Sequence, residues 1–319
     1  MLLRVIVLCL IAGQSLAFNL KETDSPYGVW GRSPALMAHL GYQEVYLEDF
    51  LEQGGLPGNK PIPKTIKGSP TSHSGKSLLT LNQMGFDIVT GNQTNWVIHD
   101  FLTQIKRTPH PTVLDVGGGY GGLTKKALKA GATVVYNDLL AEHLLAGVNS
   151  FSFQFFKNVY LNNFRFPQET AFPDESFDAV MLHRVVVLLT PEEMDAGLSK
   201  IKRWLKPNGK IYIVSLTPEH SAINPQFLTE HETRRRAGNL WPGYPLDVNA
   251  YLPSQAYGLP KTIHAMDGQT LTDALERHGF KVEQKGYVSL KHLNSEDDQK
   301  ARDGREHYGI VGAMPLLIP

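Results

Sequence analysis

The stretch TVLDVGGGYGGL, residues 112–123, constrains the fold of this 319-residue chain more than any other part of it. A run of β-branched and apolar residues leads to Asp115, and five glycines then occupy six positions around one Tyr. This pattern predicts a buried strand followed by a tight turn into a helix. Glycines let a ligand contact the backbone directly, and the start of a helix offers free N–H groups. Because so many glycines cost chain entropy, we expect the loop to bind a phosphate or carboxylate rather than to be a plain turn.

Two spacing patterns fit these glycines, and each implies a different ligand. The first is GxGxxG, the dinucleotide-binding fingerprint, which uses Gly117, Gly119 and Gly122. The second is DxGxGxG, which starts at Asp115 and uses Gly121 in place of Gly122. The loop by itself does not choose between them.

A second acidic residue, Asp138, ends the next expected strand in VVYNDL. A carboxylate about twenty residues beyond such glycines can accept hydrogen bonds from both hydroxyls of a ribose. Asp138 therefore predicts a nucleoside-containing ligand without identifying it. The alternative is that Asp138 only caps the helix that begins near Leu139.

The downstream stretch 172–216 separates the two patterns. It reads FPDESFDAVMLHRVVVLLTPEEMDAGLSKIKRWLKPNGKIYIVSL and resembles the class I S-adenosylmethionine (SAM)-dependent methyltransferase family over its whole length. The shared features are the phrase FPDESFDAV, a helix that ends in LKPNG and the strand that follows. The resemblance covers roughly residues 110–216 together with the terminal helix and the last two strands.

Strands that alternate with helices imply an α/β fold whose sheet is mostly parallel and covered on both faces. The resemblance implies a Rossmann-like class I methyltransferase sheet with an antiparallel last strand. The strands are expected at 112–116, 133–137, within 158–166, 177–183, 210–216, 280–290 and 308–314. The helices are expected at 93–107, 123–129, 141–148, 190–205 and 267–278. Residues 18–92 are expected to form an N-terminal extension, residues 93–319 the methyltransferase domain, and residues 217–266 a lid within it.

The resemblance also implies a role for each matching position. The methionine part of SAM would lie along the glycines Gly117, Gly118, Gly119 and Gly121. Asp115 would hold its amino group directly or through water, Asp138 would accept from the ribose hydroxyls, and Leu139 would pack on the adenine. Relatives often carry an Asp for the adenine amine where this chain has Phe166, so Phe166 or Phe164 is expected to pack on the adenine face.

Methyl transfer needs alignment of the reacting atoms, and it needs a base only for an acceptor that is protonated at the working pH. His183, at the end of the fourth strand, is the candidate base or substrate contact. Arg184 beside it is a candidate for an acidic group of the acceptor. The expected lid contains Trp241 and Tyr244 among prolines, which favours an apolar or aromatic small molecule or, equally, a lid that packs on its own core.

The first residues, MLLRVIVLCLIAGQSLAF, have the form of a secretory signal peptide with cleavage after Ala17. The apolar run is short for a membrane span, so we expect a secreted or periplasmic protein, or alternatively one anchored through residues 1–18. Cys9, the only cysteine, lies inside this segment, and neither a cysteine cluster nor HExxH indicates a metal.

The composition restricts the partners. Lys plus Arg and Asp plus Glu number 31 each, so no net field attracts nucleic acid. The sequence therefore predicts a SAM-dependent methyltransferase that acts on a small molecule. The alternatives are an exported binding protein that has this fold without catalysis, and an NAD-dependent oxidoreductase.

Overall fold

A computed structural model describes residues 95–289 and 303–315, together with short pieces at 55–56, 60–61, 77–80, 82 and 84–88. The expected signal peptide, Cys9 and most of the expected N-terminal extension lie outside the described residues. No helix in the described part of the chain is long and apolar enough to cross a membrane.

Thirteen strands and seven α-helices are described in these ranges. The strands are β1 Gly55–Leu56, β2 Lys60–Pro61, β3 Ser77–Leu79, β4 Phe86–Ile88, β5 Thr112–Val116, β6 Thr133–Asn137, β7 Val159–Asn162, β8 Phe177–His183, β9 Leu205–Leu216, β10 Leu246–Asp247, β11 Thr262–Ile263, β12 Lys281–Val288 and β13 His307–Ala313. The helices are α1 Trp96–Arg107, α2 Gly122–Lys129, α3 Ala141–Asn149, α4 Pro191–Trp204, α5 Pro225–Arg236, α6 Val248–Tyr251 and α7 Gly268–Arg277. Short 3-10 helices span Phe153–Asn158, Val186–Leu188 and Pro253–Gly258.

Seven strands form one sheet in the order β12-β13-β9-β8-β5-β6-β7. The pairs β5–β6, β6–β7, β5–β8 and β8–β9 are parallel, whereas β13 runs antiparallel to both β9 and β12. The predicted mostly parallel sheet with an antiparallel last strand is therefore confirmed. The strand order reverses between β5 and β8, where ligands bind in open α/β sheets.

Hydrophobic cores cover both faces of this sheet. On one face, α1, α2 and α3 cover strand residues such as Val113 and Tyr136. On the other face, α4 and α7 cover alternating residues such as Leu114 and Val180. Strands that are buried on both faces are continuous runs of apolar residues. For this reason they could be predicted from the sequence.

Helix α4 begins with a capping box. The Thr190 hydroxyl accepts a hydrogen bond from the Glu193 N–H at 3.3 Å, and a Glu193 carboxylate oxygen accepts from the Thr190 N–H at 2.9 Å. Pro191 occupies the first helical position, where its missing N–H costs nothing. This start fixes the direction in which the chain leaves the segment after β8.

The third strand, expected within 158–166, is Val159–Asn162, which confirms its placement. One boundary differs, because β9 begins at Leu205 rather than at Lys210. The early part of β9 includes a turn at Asn208, which has a positive φ of 64°. Helix α5, which starts at Pro225 after the capping residue Asn224, was not predicted as a distinct element.

The expected lid, residues 217–266, has a small core of its own. Its buried apolar residues are Ile223, Phe227, Leu246, Val248, Leu252, Ile263 and Ala265, together with Leu216 of β9. Backbone hydrogen bonds attach it to the sheet, from the His264 N–H to the Val187 carbonyl at 2.8 Å and from the Met266 N–H to the Leu216 carbonyl at 2.8 Å. The insertion is thus fixed to the segment that follows β8.

Candidate functional site

The glycine loop after β5 is held in a conformation that side chains do not allow. Gly117, Gly119 and Gly121 have φ values of 62°, 54° and 75°. A Cβ on Gly117 would lie 2.4 Å from Val185, and one on Gly121 would lie 2.8 Å from the Phe151 ring. The backbone is therefore left without side chains at the end of β5, where a ligand can approach it.

The same measurements separate the two glycine patterns. In the dinucleotide pattern the third glycine allows close packing of the helix on the strand. A Cβ on Gly122 would meet nothing within 4 Å, so this position does not need a glycine. The glycines with positive φ are Gly117, Gly119 and Gly121, which is the DxGxGxG spacing, and a Cβ on Gly118 would also collide, 2.6 Å from the Tyr136 ring.

Tyr120, the one side chain among these glycines, points away from a ligand. It is 3% exposed, and its hydroxyl donates to the Leu79 carbonyl at 3.0 Å. Its ring packs edge-on against His143, with 5.0 Å between ring centroids. Tyr120 therefore anchors the loop to the core.

Asp115, the last acidic residue before the loop, is buried, and its expected contact with the amino group of SAM remains a prediction. It is 2% exposed, and a carboxylate oxygen accepts from the Thr124 hydroxyl of α2 at 2.6 Å. The same oxygen would lie 3.0 Å from a Cβ on Gly118. Asp115 thus places a carboxyl group next to the loop backbone and connects it to the first turn of α2.

Asp138 connects the glycine loop to the start of α3. One carboxylate oxygen, Oδ2, accepts from the Gly119 N–H at 2.9 Å. The other, Oδ1, accepts from the Leu140 N–H at 2.9 Å and lies 3.0 Å from His143 Nδ1. Asp138 therefore does more than cap a helix, because it bridges the loops that follow the two adjacent strands. Leu139 beside it is 49% exposed, so its side chain is available to pack on a ligand.

Phe166 does not lie where the family comparison placed it. Its ring is 7% exposed and packs against Trp204, and a Cβ on Gly197 of α4 would meet it at 2.7 Å. The ring is part of the core between the sheet and α4, so the expectation that Phe166 packs on adenine is wrong.

Asn163, which directly follows β7, was not singled out from the sequence. Its side-chain amide donates to the carbonyls of Asp138 at 3.1 Å and Leu139 at 2.8 Å. The available signal was a polar residue at the carboxyl end of the third parallel strand, the edge at which such sheets bind ligands.

His183 ends β8 and is half-buried. Its Nε2 atom is buried and has no hydrogen-bond partner among the described residues. Burial, and then the neighbouring charge of Arg184, lower the pKa of His183 to about 3. The imidazole is therefore neutral near pH 7, with one ring nitrogen that an acceptor substrate could satisfy.

Arg184 has a φ of 65°, a left-handed backbone conformation that is uncommon for a residue with a long side chain. Its N–H donates to the Val214 carbonyl of the adjacent strand at 2.8 Å. This bond holds the chain in the turn that brings Val185 against Gly117. The loops after β5 and β8 consequently contact each other at the point where the strand order reverses.

Trp241 is part of the core rather than the wall of an open pocket, which corrects its expected role as a substrate contact. It is 4% exposed, and its Nε1 donates to a carboxylate oxygen of Asp195 at 3.2 Å. The Arg277 guanidinium lies 5.4 Å above its ring. Tyr244 is half-buried, with its ring 5.5 Å from that of His264, and its expected contact with the acceptor remains a prediction.

Two further titratable groups near this edge were not singled out from the sequence. His264 is fully buried, its Nδ1 lies 3.1 Å from the Leu189 carbonyl, and burial lowers its pKa to about 4. Glu219 follows β9, and burial together with the charge of Asp267 raises the pKa of its carboxyl group. Its Oε2 atom is buried without a hydrogen-bond partner among the described residues.

In the described part of the chain, no three His, Cys, Asp or Glu side chains are grouped so that they could hold an ion. The basic run 234–236 is largely used within the protein. Arg234 donates to the carbonyls of Pro242 and Pro245, and Arg235 pairs with Asp267.

Comparison with known proteins identifies the class. Residues 113–209 match the family model described as a methyltransferase domain. Together with the sheet order and the DxGxGxG loop, this match shows that the chain carries a class I SAM-dependent methyltransferase domain. S-adenosylmethionine is the cofactor of this enzyme class.

Curated relatives share this segment with much longer proteins. The chain is 29% identical over 126 residues to the highly reducing polyketide synthase lcsB of Purpureocillium lilacinum. This alignment covers 36% of this chain and 5% of that protein. It is 29% identical over 167 residues to the highly reducing polyketide synthase rstn3 of Aspergillus nomiae. That alignment covers 49% of this chain and 6% of the synthase. The chain therefore spans only a small part of the length of these relatives.

Solved structures with a similar fold are SAM-dependent methyltransferases. One from Methanosarcina mazei has 16% identity, covers 70% of this chain and 99% of its own, and gives a TM-score of 0.49. Another from Mesorhizobium loti has 14% identity, covers 68% of this chain and 97% of its own, and gives a TM-score of 0.48.

Proposed function

We propose that this protein transfers the methyl group of SAM to a small-molecule acceptor held between the segment after β8 and the insertion 217–266. The observation that carries the proposal is the side-chain-free backbone at Gly117, Gly119 and Gly121, opposite the Asp138 carboxylate. Val185 and Phe151 pack where a Cβ of Gly117 or Gly121 would lie, and because these glycines carry no side chain, a ligand can contact the main chain of the loop directly.

The residues around the loop supply what each part of SAM requires. The glycine backbone would hold the methionine part, the Asp115 carboxylate its ammonium group, and Asp138 the ribose. Leu139 supplies exposed apolar surface for the adenine, and we propose Asn163, in place of Phe166, as the polar group nearest to the adenine edge. When bound, SAM supplies a methyl group activated on a sulfonium.

The chain's own contribution to the chemistry is alignment and exclusion of water. Holding the acceptor in line with the methyl group can contribute about 7–11 kcal/mol to lowering the barrier. A base is most effective when its pKa lies near the working pH, and the pKa of His183 lies far below it. We therefore assign His183 to hydrogen bonding with the acceptor rather than to proton removal.

Glu219 fits proton removal better than His183 does. The raised pKa of its carboxyl group moves it toward neutral pH, and its Oε2 atom lacks a partner within the described ranges. It follows β9, the strand adjacent to β8, at the same edge of the sheet. We propose that Glu219 accepts the proton when the acceptor loses one.

Titration calorimetry with SAM, S-adenosylhomocysteine (SAH) and NADH tests the cofactor assignment. We expect SAM and SAH to bind at one site and NADH not to bind. Binding of NADH alone would favour an oxidoreductase. If no ligand binds, the alternative of an exported protein without catalysis gains support.

The acceptor is sought by incubating the protein with methyl-labelled SAM and classes of small molecules, followed by mass spectrometry. Acyl compounds of the polyketide type belong in this set, because the curated relatives are polyketide synthases. Labelled product from a small molecule supports the proposal. Label found only on protein or nucleic acid would contradict it.

We further propose that residues 1–17 are a signal peptide and that the mature protein is secreted or periplasmic. The basis is the single early Arg, the apolar run and the small residues at Ser15 and Ala17. N-terminal sequencing of the secreted protein should begin at Phe18. A retained N-terminus in the membrane fraction would instead support an anchor.

A further inference from the structure

We propose that His143 is a positioning residue for the cofactor: it orients the Asp138 carboxylate toward the ribose. The inference rests on the proposed function, because Asp138 is the group that would bind the ribose of SAM. His143 lies on α3 and belongs to neither glycine pattern.

The contact between the two side chains is short and buried. His143 is 2% exposed and Asp138 is 6% exposed, and His143 Nδ1 lies 3.0 Å from Asp138 Oδ1. Since a carboxylate oxygen only accepts, Nδ1 carries the hydrogen and donates it. Such a hydrogen bond to a carboxylate is stronger than one between neutral groups.

Several contacts hold the His143 imidazole in one orientation, so that it can orient Asp138. Its ring packs edge-on against Tyr120, with 5.0 Å between centroids. The His143 N–H donates to the Leu140 carbonyl at 3.0 Å, and the His143 carbonyl accepts from the Tyr136 hydroxyl at 3.1 Å. The Gly119 carbonyl shares the single hydrogen of the same Tyr136 hydroxyl, so one framework holds both His143 and the glycine loop.

The two carboxylate oxygens of Asp138 differ in their partners among the described residues. Each carboxylate oxygen has about two acceptor positions. Oδ1 is occupied by the Leu140 N–H and His143, whereas Oδ2 accepts only from Gly119 among the described residues. His143 therefore fixes the rotation of the carboxylate so that the remaining acceptor position on Oδ2 is available to a hydroxyl.

The test compares two ligands across two variants. Calorimetry measures the affinity of wild type, His143→Leu and His143→Asn for SAH and for its 2′,3′-dideoxyribose analogue. We expect His143→Leu to weaken SAH binding by about 10- to 100-fold, the range for a lost hydrogen bond to a charged group, and the analogue by less than about twofold. His143→Asn restores a donor and should recover SAH binding to within about threefold.

The expected result is a loss of affinity that depends on the ribose hydroxyls, measured at a temperature where the variants remain folded. Equal weakening of both ligands by His143→Leu would overturn the inference, as would undiminished SAH binding. Failure of wild type to bind SAH at all would instead overturn the proposed function. The two failures are therefore distinguishable.

A measurement on the wild-type protein covers the case in which His143→Leu does not fold. With ¹⁵N-labelled imidazoles, the Nδ1 resonance of His143 should shift when SAH binds and shift much less with the dideoxyribose analogue. A resonance that stays unchanged as SAH saturates the protein would also overturn the inference.

Discussion

The glycine loop and the insertion 217–266 lie at the same edge of the sheet but are stabilised in different ways. In the loop, positive φ angles and main-chain hydrogen bonds to Asp138 define the shape. In the insertion, a separate apolar core and buried rings such as Trp241 define it. The cofactor side thus depends on backbone geometry, whereas the acceptor side depends on side-chain packing. Substitutions should therefore separate binding of SAM from folding of the insertion.

The largest effect is expected on stability, from Trp241→Ala. The change removes a buried indole that packs between the insertion and α4, which costs about 3–5 kcal/mol of unfolding free energy. Urea unfolding measures this loss. Trp241→Phe is the matched control, and it should lose only about 1 kcal/mol with the hydrogen bond to Asp195. If the glycine loop and the insertion are stabilised independently, the folded Trp241→Ala protein still binds SAH with nearly wild-type affinity.

Gly117→Ala is expected to act the other way, mainly on SAM binding rather than on folding. A methyl group there meets Val185 and requires a positive φ, so SAM affinity should fall by about 100-fold or more, close to 3 kcal/mol. Gly122→Ala is the control, since its added methyl group meets nothing within 4 Å. Calorimetry should find the control within about twofold of wild type. Equal losses of SAM affinity in both variants would mean that the ligand does not bind through the backbone of the loop.

Acid should destabilise the insertion through His264. Burial lowers its pKa from 6.5 to about 4 in the folded state, so the unfolded chain binds more protons between these values. The stabilisation is therefore complete above pH 6.5 and is lost as the pH falls toward 4. His264 alone should account for about 2 kcal/mol of unfolding free energy between pH 7 and pH 4.5.

Urea unfolding of wild type and His264→Gln at the two pH values checks this contribution. The Gln variant should show a smaller loss with acid, because it has no imidazole to protonate. Parallel pH dependence in the two proteins would exclude His264 as the source.

The smallest effect is expected from His183→Ala, at the junction of the glycine loop and the insertion 217–266. Loss of one hydrogen bond to the acceptor should lower kcat/KM by about 10-fold and leave SAH affinity unchanged. Because the pKa of His183 is about 3, the wild-type rate should show no titration of this group between pH 5 and pH 8. Loss of a titration near pH 6.5 in the variant would show instead that His183 is the base.

The two regions also differ in what the sequence could predict. The parallel strands, DxGxGxG and Asp138 were identified because backbone demands leave glycines and a carboxylate at fixed spacing. Phe166 was misplaced since a single phenylalanine fits both an adenine face and the core next to Trp204. His264 and Asn163 were missed because their roles depend on neighbours far away in sequence.

A crystal structure with SAH bound tests the central claim most directly. The account predicts that the methionine part lies along the backbone of Gly117–Gly119 and that a ribose hydroxyl donates to Asp138 Oδ2, with His143 still bonded to Oδ1. SAH bound elsewhere, or a ribose that does not contact Asp138, would contradict it.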